Sequence, residues 1–172
     1  AEGELDAGFG SGGVVLTPVG GSEDIGNAVA LDAQGGILVA GQVKIGSQVE
    51  FGLVRYLQNG SVDAGFGFHG AATTVIGPSS NDDATGVAVD PAGRIVLAGR
   101  SLNATHYQFA VARFTATGQP DSSFNGSGIE ATPIGPGSAL GMAVAVDPQG
   151  RIVVAGSSAN GPDIVFTLAR YL

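Results

Sequence analysis

The chain has 172 residues, 44% of them hydrophobic, and 15 acidic against 7 basic residues give a net charge of −8 at pH 7. This length and composition predict one globular domain, and the acidic balance excludes the basic stripe that a nucleic-acid partner requires. The absence of cysteine excludes disulfides and thiolate metal sites, and no apolar run reaches the ~18 to 20 residues of a membrane span.

From the N-terminus, the chain first shows Asp6 and Phe9 within "LDAGFGSGG", and residues 14–19 then alternate as a β-strand does. Further strands are predicted at residues 27–31, 37–43 and 51–57, the last of which contains Arg55. An Asp-x-x-Gly turn that starts at Asp32 links the second and third of these four strands, which predicts a tight hairpin.

The same series occurs three times with a period of 57 or 58 residues. Its first landmark, "LDAGFG", returns as "VDAGFG" and "PDSSFN"; its second, "VALDAQGGILVAG", returns with proline after the aspartate; its third is "FGLVRYL", "FAVARFT" and "FTLARYL". We predict one domain of three tandem repeats, residues 1–57, 58–115 and 116–172. The repeated positions are Asp6, Asp63 and Asp121; Phe9, Phe66 and Phe124; Asp32, Asp90 and Asp147; and Arg55, Arg113 and Arg170.

The pattern predicts an all-β fold in which helices are nearly absent, because no window shows sustained helical spacing of apolar residues. Runs such as "ILVAG" are apolar on both faces, which favours a sheet packed between two other sheets. Four-stranded sheets packed face to face around an axis are β-propeller blades. Twelve strands in three copies also describe a β-trefoil or a β-prism, both of which close as monomers.

The combination of "AVAVDPQGRIVVAG", "FTLARYL" and "NGSVDAGFG" resembles the bacterial delta-60 repeat family, and more distantly NHL-type propeller blades. The resemblance covers essentially the whole chain. It implies a propeller-type fold in which the strand before the Asp-x-x-Gly turn is innermost and residues 14–19 form an outer strand. It also implies a secreted or surface protein, extracellular or in the bacterial cell envelope.

In this strand order the third blade lacks its outer strand, and three blades are too few to surround an axis. We expect a two-fold homodimer that forms a six-bladed ring, in which the N-terminal strand of each chain completes the third blade of the other. The alternatives are a piece of a longer array, with further repeats beside this one, and the closed three-fold folds.

Residues repeated in register are expected to have structural roles. We predict that the aspartate of each "LDAGFG"-type segment caps a turn, that its phenylalanine fills the space between blades, and that the arginine pairs with a landmark aspartate or loop carbonyls. A calcium site is disfavoured because each loop has a single aspartate.

Function is therefore expected in the loops that differ between copies. By the NHL-type order, one face collects an acidic, variable set of residues, a candidate surface for a polar ligand, a protein or a glycan, with a cation site left open. The set is Glu23, Asp24, Glu50, Asp82, Asp83, His106, Tyr107 and Asp163.

No catalytic residues, metal ligands or cofactor are predicted. The two histidines, His69 and His106, fall on opposite predicted faces and form no His-Glu-x-x-His metal motif. The sequence also lacks the Gly-x-Ser-x-Gly motif that presents a nucleophilic serine. We expect a non-enzymatic propeller module that serves as a structural or protein-interaction surface. The alternatives are a carbohydrate-binding propeller, against which the absence of tryptophan counts, and a metal-dependent hydrolase or lactonase with a site near the axis.

Overall fold

The structure is a computed structural model that describes residues 3–79 and 81–172. Within these residues the secondary structure is β-strand without any helix, so no helix there crosses a membrane. The strands are β1 (Asp24–Leu31), β2 (Ile37–Ile45), β3 (Gln48–Tyr56), β4 (Ala71–Thr74), β5 (Asp82–Val89), β6 (Ile95–Asn103), β7 (His106–Phe114), β8 (Ile129–Thr132), β9 (Ala139–Val146), β10 (Ile152–Asn160) and β11 (Asp163–Tyr171).

Three antiparallel sheets contain these strands: sheet I (β1-β2-β3-β4), sheet II (β5-β6-β7-β8) and sheet III (β9-β10-β11). The fourth strand of sheet I lies in the second repeat, and the fourth strand of sheet II lies in the third. The predicted all-β architecture is confirmed. Sheet III has three strands in the described part of the chain, as the strand order predicted.

The Asp-x-x-Gly hairpin has the same hydrogen bonds in every sheet. The Asp32 carboxylate accepts the N–H groups of Gln34 at 2.9 Å and Gly36 at 2.7 Å, and Gly35 has a φ of 79°. A positive φ is adopted most readily by glycine, which explains the fourth residue of the motif. Asp90 and Asp147 accept the equivalent bonds in sheets II and III.

A β-bulge between the first two strands of each sheet explains why a glycine ends each "VAG" or "LAG" segment. The register of β1 against β2 shifts between Gly26 and Ala28, and a Cβ added to Gly41 would lie 1.8 Å from the Ile25 carbonyl oxygen. Gly99 and Gly156 meet carbonyl oxygens at 2.0 and 1.9 Å in the same way. A side chain at this position would collide with the neighbouring backbone.

The sheets stack face to face, and two hydrophobic clusters fill the spaces between them. Each sheet thus has a forward face, towards the next sheet in the chain, and a rear face, towards the preceding one. Sheet I contributes Leu38, Ala40, Phe51 and Leu53 from its forward face, and sheet II contributes Ile95, Leu97, Ala110, Ala112 and Phe114 from its rear face. Between sheets II and III lie Val96, Ala98, Phe109 and Val111 on one side and Ile152, Val154, Ala169 and Tyr171 on the other.

The first strand of each sheet is innermost, since β5 contacts both β1 and β9. Side chains link these inner strands across the sheets: Asn27 Nδ2 donates to the Ala84 carbonyl at 2.9 Å, and Thr85 Oγ1 donates to the Gly141 carbonyl at 2.8 Å. This open stack differs from the closed three-fold arrangement of a β-trefoil or β-prism.

Residues 14–19 differ from the prediction, because they form no strand in this structure apart from an isolated bridge between Ser11 and Val14. Their counterparts in the next two repeats are β4 and β8, which pair with β3 and β7. A strand needs an edge to pair with. By the same repeat order, residues 14–17 would pair with the third strand of sheet III, β11, which lies at the opposite end of the stack.

Candidate functional site

The loop that connects successive sheets inserts a phenylalanine between them. In the second repeat, the Phe66 N–H donates to the Asp63 carbonyl at 3.0 Å and the Gly70 N–H donates to the Phe66 carbonyl at 2.8 Å. The Phe66 ring is buried in the cluster between sheets I and II. Phe124 has the equivalent position between sheets II and III.

The repeated arginine joins its strand to this loop by ion pairs. Arg55 Nη2 lies 2.6 Å from Asp32 Oδ2, and Arg55 Nε lies 3.6 Å from Asp63 Oδ2. Arg113 Nε lies 2.7 Å from Asp121 Oδ2, with both side chains almost fully buried. The aspartate that follows the arginine by eight residues is therefore a partner of the arginine in both junctions.

The second of these pairs is the more enclosed. Desolvation opposes ionisation of Asp121, but hydrogen bonds from the Ser123 hydroxyl and N–H and the charge of Arg113 hold its pKa below the ordinary value of 3.8. The Arg113 guanidinium also lies 5.0 Å from the Phe124 ring centroid, within the range of a cation–π interaction. Arginine, aspartate and phenylalanine thus form one unit at each junction.

The first copy of the loop has the same local structure without its arginine. The Phe9 N–H donates to the Asp6 carbonyl at 3.0 Å, and the Gly13 N–H donates to the Phe9 carbonyl at 2.8 Å. Asp6 Oδ1 accepts the Gly8 N–H at 2.9 Å and forms no ion pair with the described residues. Arg170, the third repeated arginine, is exposed and likewise has no ion-pair partner in the described part of the chain.

Two sheet faces at the ends of the stack repeat the side-chain pattern that is buried inside it. The forward face of sheet III carries Val153, Ala155, Phe166 and Leu168, at the positions that Val96, Ala98, Phe109 and Val111 occupy in sheet II. Phe166 is fully exposed, whereas Phe51 and Phe109 are fully buried. The rear face of sheet I carries Ile37, Val39, Val54 and Tyr56, at the positions of Ile95, Leu97, Ala112 and Phe114 in sheet II. Of these four, Val54 is buried and the other three are half-buried.

The inner strand of sheet I shows the same contrast. Val29 and Leu31 are 66% and 67% exposed on the rear face of the sheet. Their counterparts Val87 and Val89 in sheet II pack against the first cluster, and those in sheet III pack against the second. Scattered exposed apolar residues are ordinary, but contiguous apolar faces indicate an interaction surface.

The eight residues predicted for the variable loop face fall into different environments. Asp24 accepts the Val19 N–H at 2.8 Å, and Asp82, fully buried, accepts the Ile76 N–H at 2.7 Å. Both carboxylates therefore close the turn that precedes their strand. Glu23 lies 3.6 Å from Lys44 Nζ.

The remaining members are partly brought together. Asp83 Oδ2 lies 3.0 Å from Arg100 Nη2, and the Arg100 guanidinium lies 5.0 Å from the Tyr107 ring. Asn27 Nδ2 donates to Asp83 Oδ1 at 2.7 Å from the neighbouring sheet. Glu50 is largely buried, Asp163 is exposed at the start of β11, and the His106 Nδ1 lies 2.9 Å from Thr105 Oγ1.

Asn27 and Arg100 were missed by the sequence reasoning. Arg100 lies outside the three landmarks, and the contact of Asn27 with Asp83 spans 56 residues, so neither had a local signal. Together with Asp83 and Tyr107 they form a polar cluster in which each charge already has a partner. Among residues 3–79 and 81–172 no three His, Cys, Asp or Glu side chains converge as metal ligands would.

The second repeat carries an exposed aromatic pair in its connecting loop. The Phe68 and His69 rings lie 4.3 Å apart, and His69 has a positive φ of 54°. Both border a groove of about 660 Å³ that also touches residues 17–19 and Pro120. His69 thus lies in the loop between β3 and β4, whereas His106 is the first residue of β7.

A family model described as "Domain of unknown function (DUF5122) beta-propeller" matches residues 35–66 and 91–124. Each matched segment runs from the turn before the second strand of a sheet to the phenylalanine of the next connecting loop. Among curated proteins, none matches the chain. The chain therefore contains β-propeller-type repeats.

Proposed function

We propose that this chain is a non-enzymatic β-propeller module, extracellular or in the bacterial cell envelope, that acts as a structural or protein-interaction surface. Its three sheets are the blades, numbered as the sheets are. The proposed location rests on the resemblance to delta-60 repeats. The proposed role rests on the geometry of the two ends of the stack.

The observation that carries the proposal is the apolar character of the two end faces. Fully burying a leucine, valine or phenylalanine side chain stabilises a complex by about 1.5–3 kcal/mol. The forward face of blade III exposes Ile164, Phe166 and Leu168, and the rear face of blade I exposes Val29 and Leu31. A surface of this kind favours a partner that covers it.

A second copy of the chain fits both faces, because the forward face of blade III and the rear face of blade I have the residue types that already pack together at two internal junctions. Two copies joined head to tail at two equivalent joints would form a six-bladed ring, within the usual range of four to eight blades. Such a homodimer is the preferred assembly.

The loops that differ between repeats are proposed to carry any further ligand. Glu23 is exposed in the loop before β1, Asp163 is exposed where the β10–β11 turn enters β11, and the chain has a net charge of −8. A cationic or polar protein partner is favoured over an anionic one at these loops.

Solution mass tests the assembly directly. Sedimentation equilibrium is expected to give twice the chain mass of 16.9 kDa. A monodisperse monomer at micromolar concentration would contradict the self-association.

Two alternative functions, a lectin and a metal-dependent hydrolase, predict different experimental results. Either result would replace this proposal. Saturable binding on a glycan array would indicate a lectin. Stoichiometric metal in the purified protein, with hydrolysis that is lost on metal removal and restored on its addition, would indicate a metal-dependent hydrolase.

A further inference from the structure

We infer that residues 14–17 of a second copy add to the free edge of β11 as the fourth strand of blade III, and that Asp6 of that copy pairs with Arg170. The inference rests on the proposed self-association and specifies its contacts. It assigns the register of the joint, the ion pair that closes it and the side chain that fills it.

The contact begins at the outer edge of β11. In blades I and II the edge of the third strand is covered by β4 and β8. In blade III, β11 pairs with β10 alone among the described residues. A third strand with an uncovered edge offers its N–H and C=O groups for pairing with another chain.

The register follows from the two blades that are complete. Phe51 pairs with Thr74 and Val54 with Ala71, and Phe109 pairs with Thr132 and Ala112 with Ile129. At the same repeat positions, Phe166 would pair with Thr17 and Ala169 with Val14 of the second copy. Between these pairs, Thr167 would face Leu16.

The ion pair follows from the same alignment. Arg55 pairs with Asp63 and Arg113 pairs with Asp121, in each case with an aspartate of the following repeat. The aspartate at that position for Arg170 is Asp6 of a second copy. Arg170 and Asp6 are also the repeated arginine and loop aspartate that lack an ion pair in the described chain.

The N-terminal segment already lies where the joint requires it. The Gly10 N–H donates to the Asn59 carbonyl at 2.9 Å, just as the Gly67 N–H donates to the Thr117 carbonyl at 2.9 Å in the next repeat. The first loop is therefore docked on blade I as the second loop is docked on blade II, with its aspartate and phenylalanine ready to meet a preceding blade.

Two further contacts support the same position. Thr17 borders a cavity of about 90 Å³ on the rear face of blade I together with Tyr56. At the equivalent place between blades II and III, the Tyr171 hydroxyl donates to Thr132 Oγ1 at 3.0 Å. Thr17 Oγ1 is buried without a hydrogen-bond partner among the described residues, and pairing with β11 of the second copy would fix it beside Tyr56. Leu16 is 90% exposed and available for pairing.

A charge exchange tests the ion pair. Asp6→Arg and Arg170→Asp each place like charges at both joints of a homodimer, so each variant alone is expected to raise the dissociation constant by more than about tenfold. An equimolar mixture of the two variants restores opposite charges at both joints, and is expected to regain wild-type affinity as a heterodimer. Sedimentation velocity of each variant and of the mixture gives these constants.

An engineered disulfide tests the register, and the absence of native cysteine makes it unambiguous. In sheet I the Arg55 N–H donates to the Gly70 carbonyl at 3.0 Å, so Arg55 and Gly70 are a hydrogen-bonded pair. Hydrogen-bonded and non-hydrogen-bonded pairs alternate along an antiparallel ladder, which makes Gly52–Thr73 a non-hydrogen-bonded pair. Thr167–Leu16 is the equivalent pair, and at such a pair the Cα atoms approach to about 4.5 Å, within the range of a disulfide. The variant with Leu16→Cys and Thr167→Cys is expected to form a covalent dimer on oxidation. The matched control, Leu16→Cys with Leu168→Cys, directs its sulfurs to opposite faces and is expected to form little of it.

The outcomes separate the two proposals. A monomer in solution would overturn the self-association and this inference together. A dimer that cross-links only in the control variant, or whose charge variants do not recover on mixing, would overturn the register or the ion pair and leave the self-association standing. Recovery on mixing together with in-register cross-linking would support both.

Discussion

Phe166 offers the most direct energetic test, because the same side chain occurs at the same position in all three sheets. Phe109 is completely buried between sheets II and III, whereas Phe166 is fully exposed on the forward face of sheet III. Truncation of a buried phenylalanine to alanine costs about 3–5 kcal/mol. Phe109→Ala is therefore expected to lower the free energy of unfolding by that amount at any protein concentration.

Phe166→Ala should leave the stability of the dissociated chain unchanged, since the ring contacts little within it. In a two-copy ring each of the two joints would lose a buried phenylalanine, worth about 1.5–3 kcal/mol of transfer free energy apiece. The loss of about 3–6 kcal/mol corresponds to an increase in the dissociation constant of roughly 10²- to 10⁴-fold.

Urea denaturation at low concentration and sedimentation equilibrium over a dilution series measure the two effects separately. An unchanged dissociation constant for Phe166→Ala would refute the packing of this face against a second copy. A large loss of stability in the dissociated variant would show that the ring packs within its own chain.

Three further predictions concern the interior of the fold. Arg113→Leu removes the nearest cation from the buried Asp121 and leaves Arg94 at 3.9 Å, so it is expected to lower the free energy of unfolding by up to about 3–5 kcal/mol. Arg100→Leu, at a side chain that is 37% exposed, should cost less, because Asp83 keeps its hydrogen bond from Asn27; urea titration of both variants compares them. Because the pKa of Asp121 is depressed in the folded state, its contribution to stability is present above the ordinary value of 3.8 and is lost as the pH falls through the folded value. Asp121→Asn should therefore lose less stability than the wild type as the pH falls from above the ordinary value of 3.8 to below it, as denaturation at several pH values would show. Gly99→Ala brings a Cβ to 2.0 Å from the Asp83 carbonyl oxygen and is expected to cost at least about 1–3 kcal/mol, measured by thermal unfolding; a neutral effect would contradict the tight bulge.

The sequence predicted the strand content and the hairpin turns because these are local. The Asp-x-x-Gly motif specifies a turn because its own carboxylate accepts backbone hydrogen bonds. Apolar runs such as "ILVAG" and "FGLVRYL" specify strands that are apolar on both faces. Strand ends were less accurate: β1 begins at Asp24 and not at residue 27, since the pairing of Asp24 with Val43 lies beyond the reach of a local pattern.

The candidate site was harder to predict, because the sequence alone does not distinguish an aspartate that caps a turn from one that binds a ligand. Asp24 and Asp82 lie in variable loops, yet both hold backbone N–H groups. The prediction for residues 14–19 had a different limit. Alternation indicates that a segment can form a strand, but the edge it pairs with is a property of the assembly.

The repeated junction also determines how stability depends on concentration. In a stack of similar repeats, stability is roughly the sum of each repeat and its nearest-neighbour interfaces. Junctions I–II and II–III are joined by the chain itself, since β4 and β8 cross from one repeat to the sheet of the preceding one. A joint between sheet III and sheet I of another copy would use the same residue types without a covalent connection, so its contribution would fall on dilution. Sheets I and III would then each lose one neighbour while sheet II keeps both, and the first cooperative loss of structure on dilution is expected at the ends of the stack.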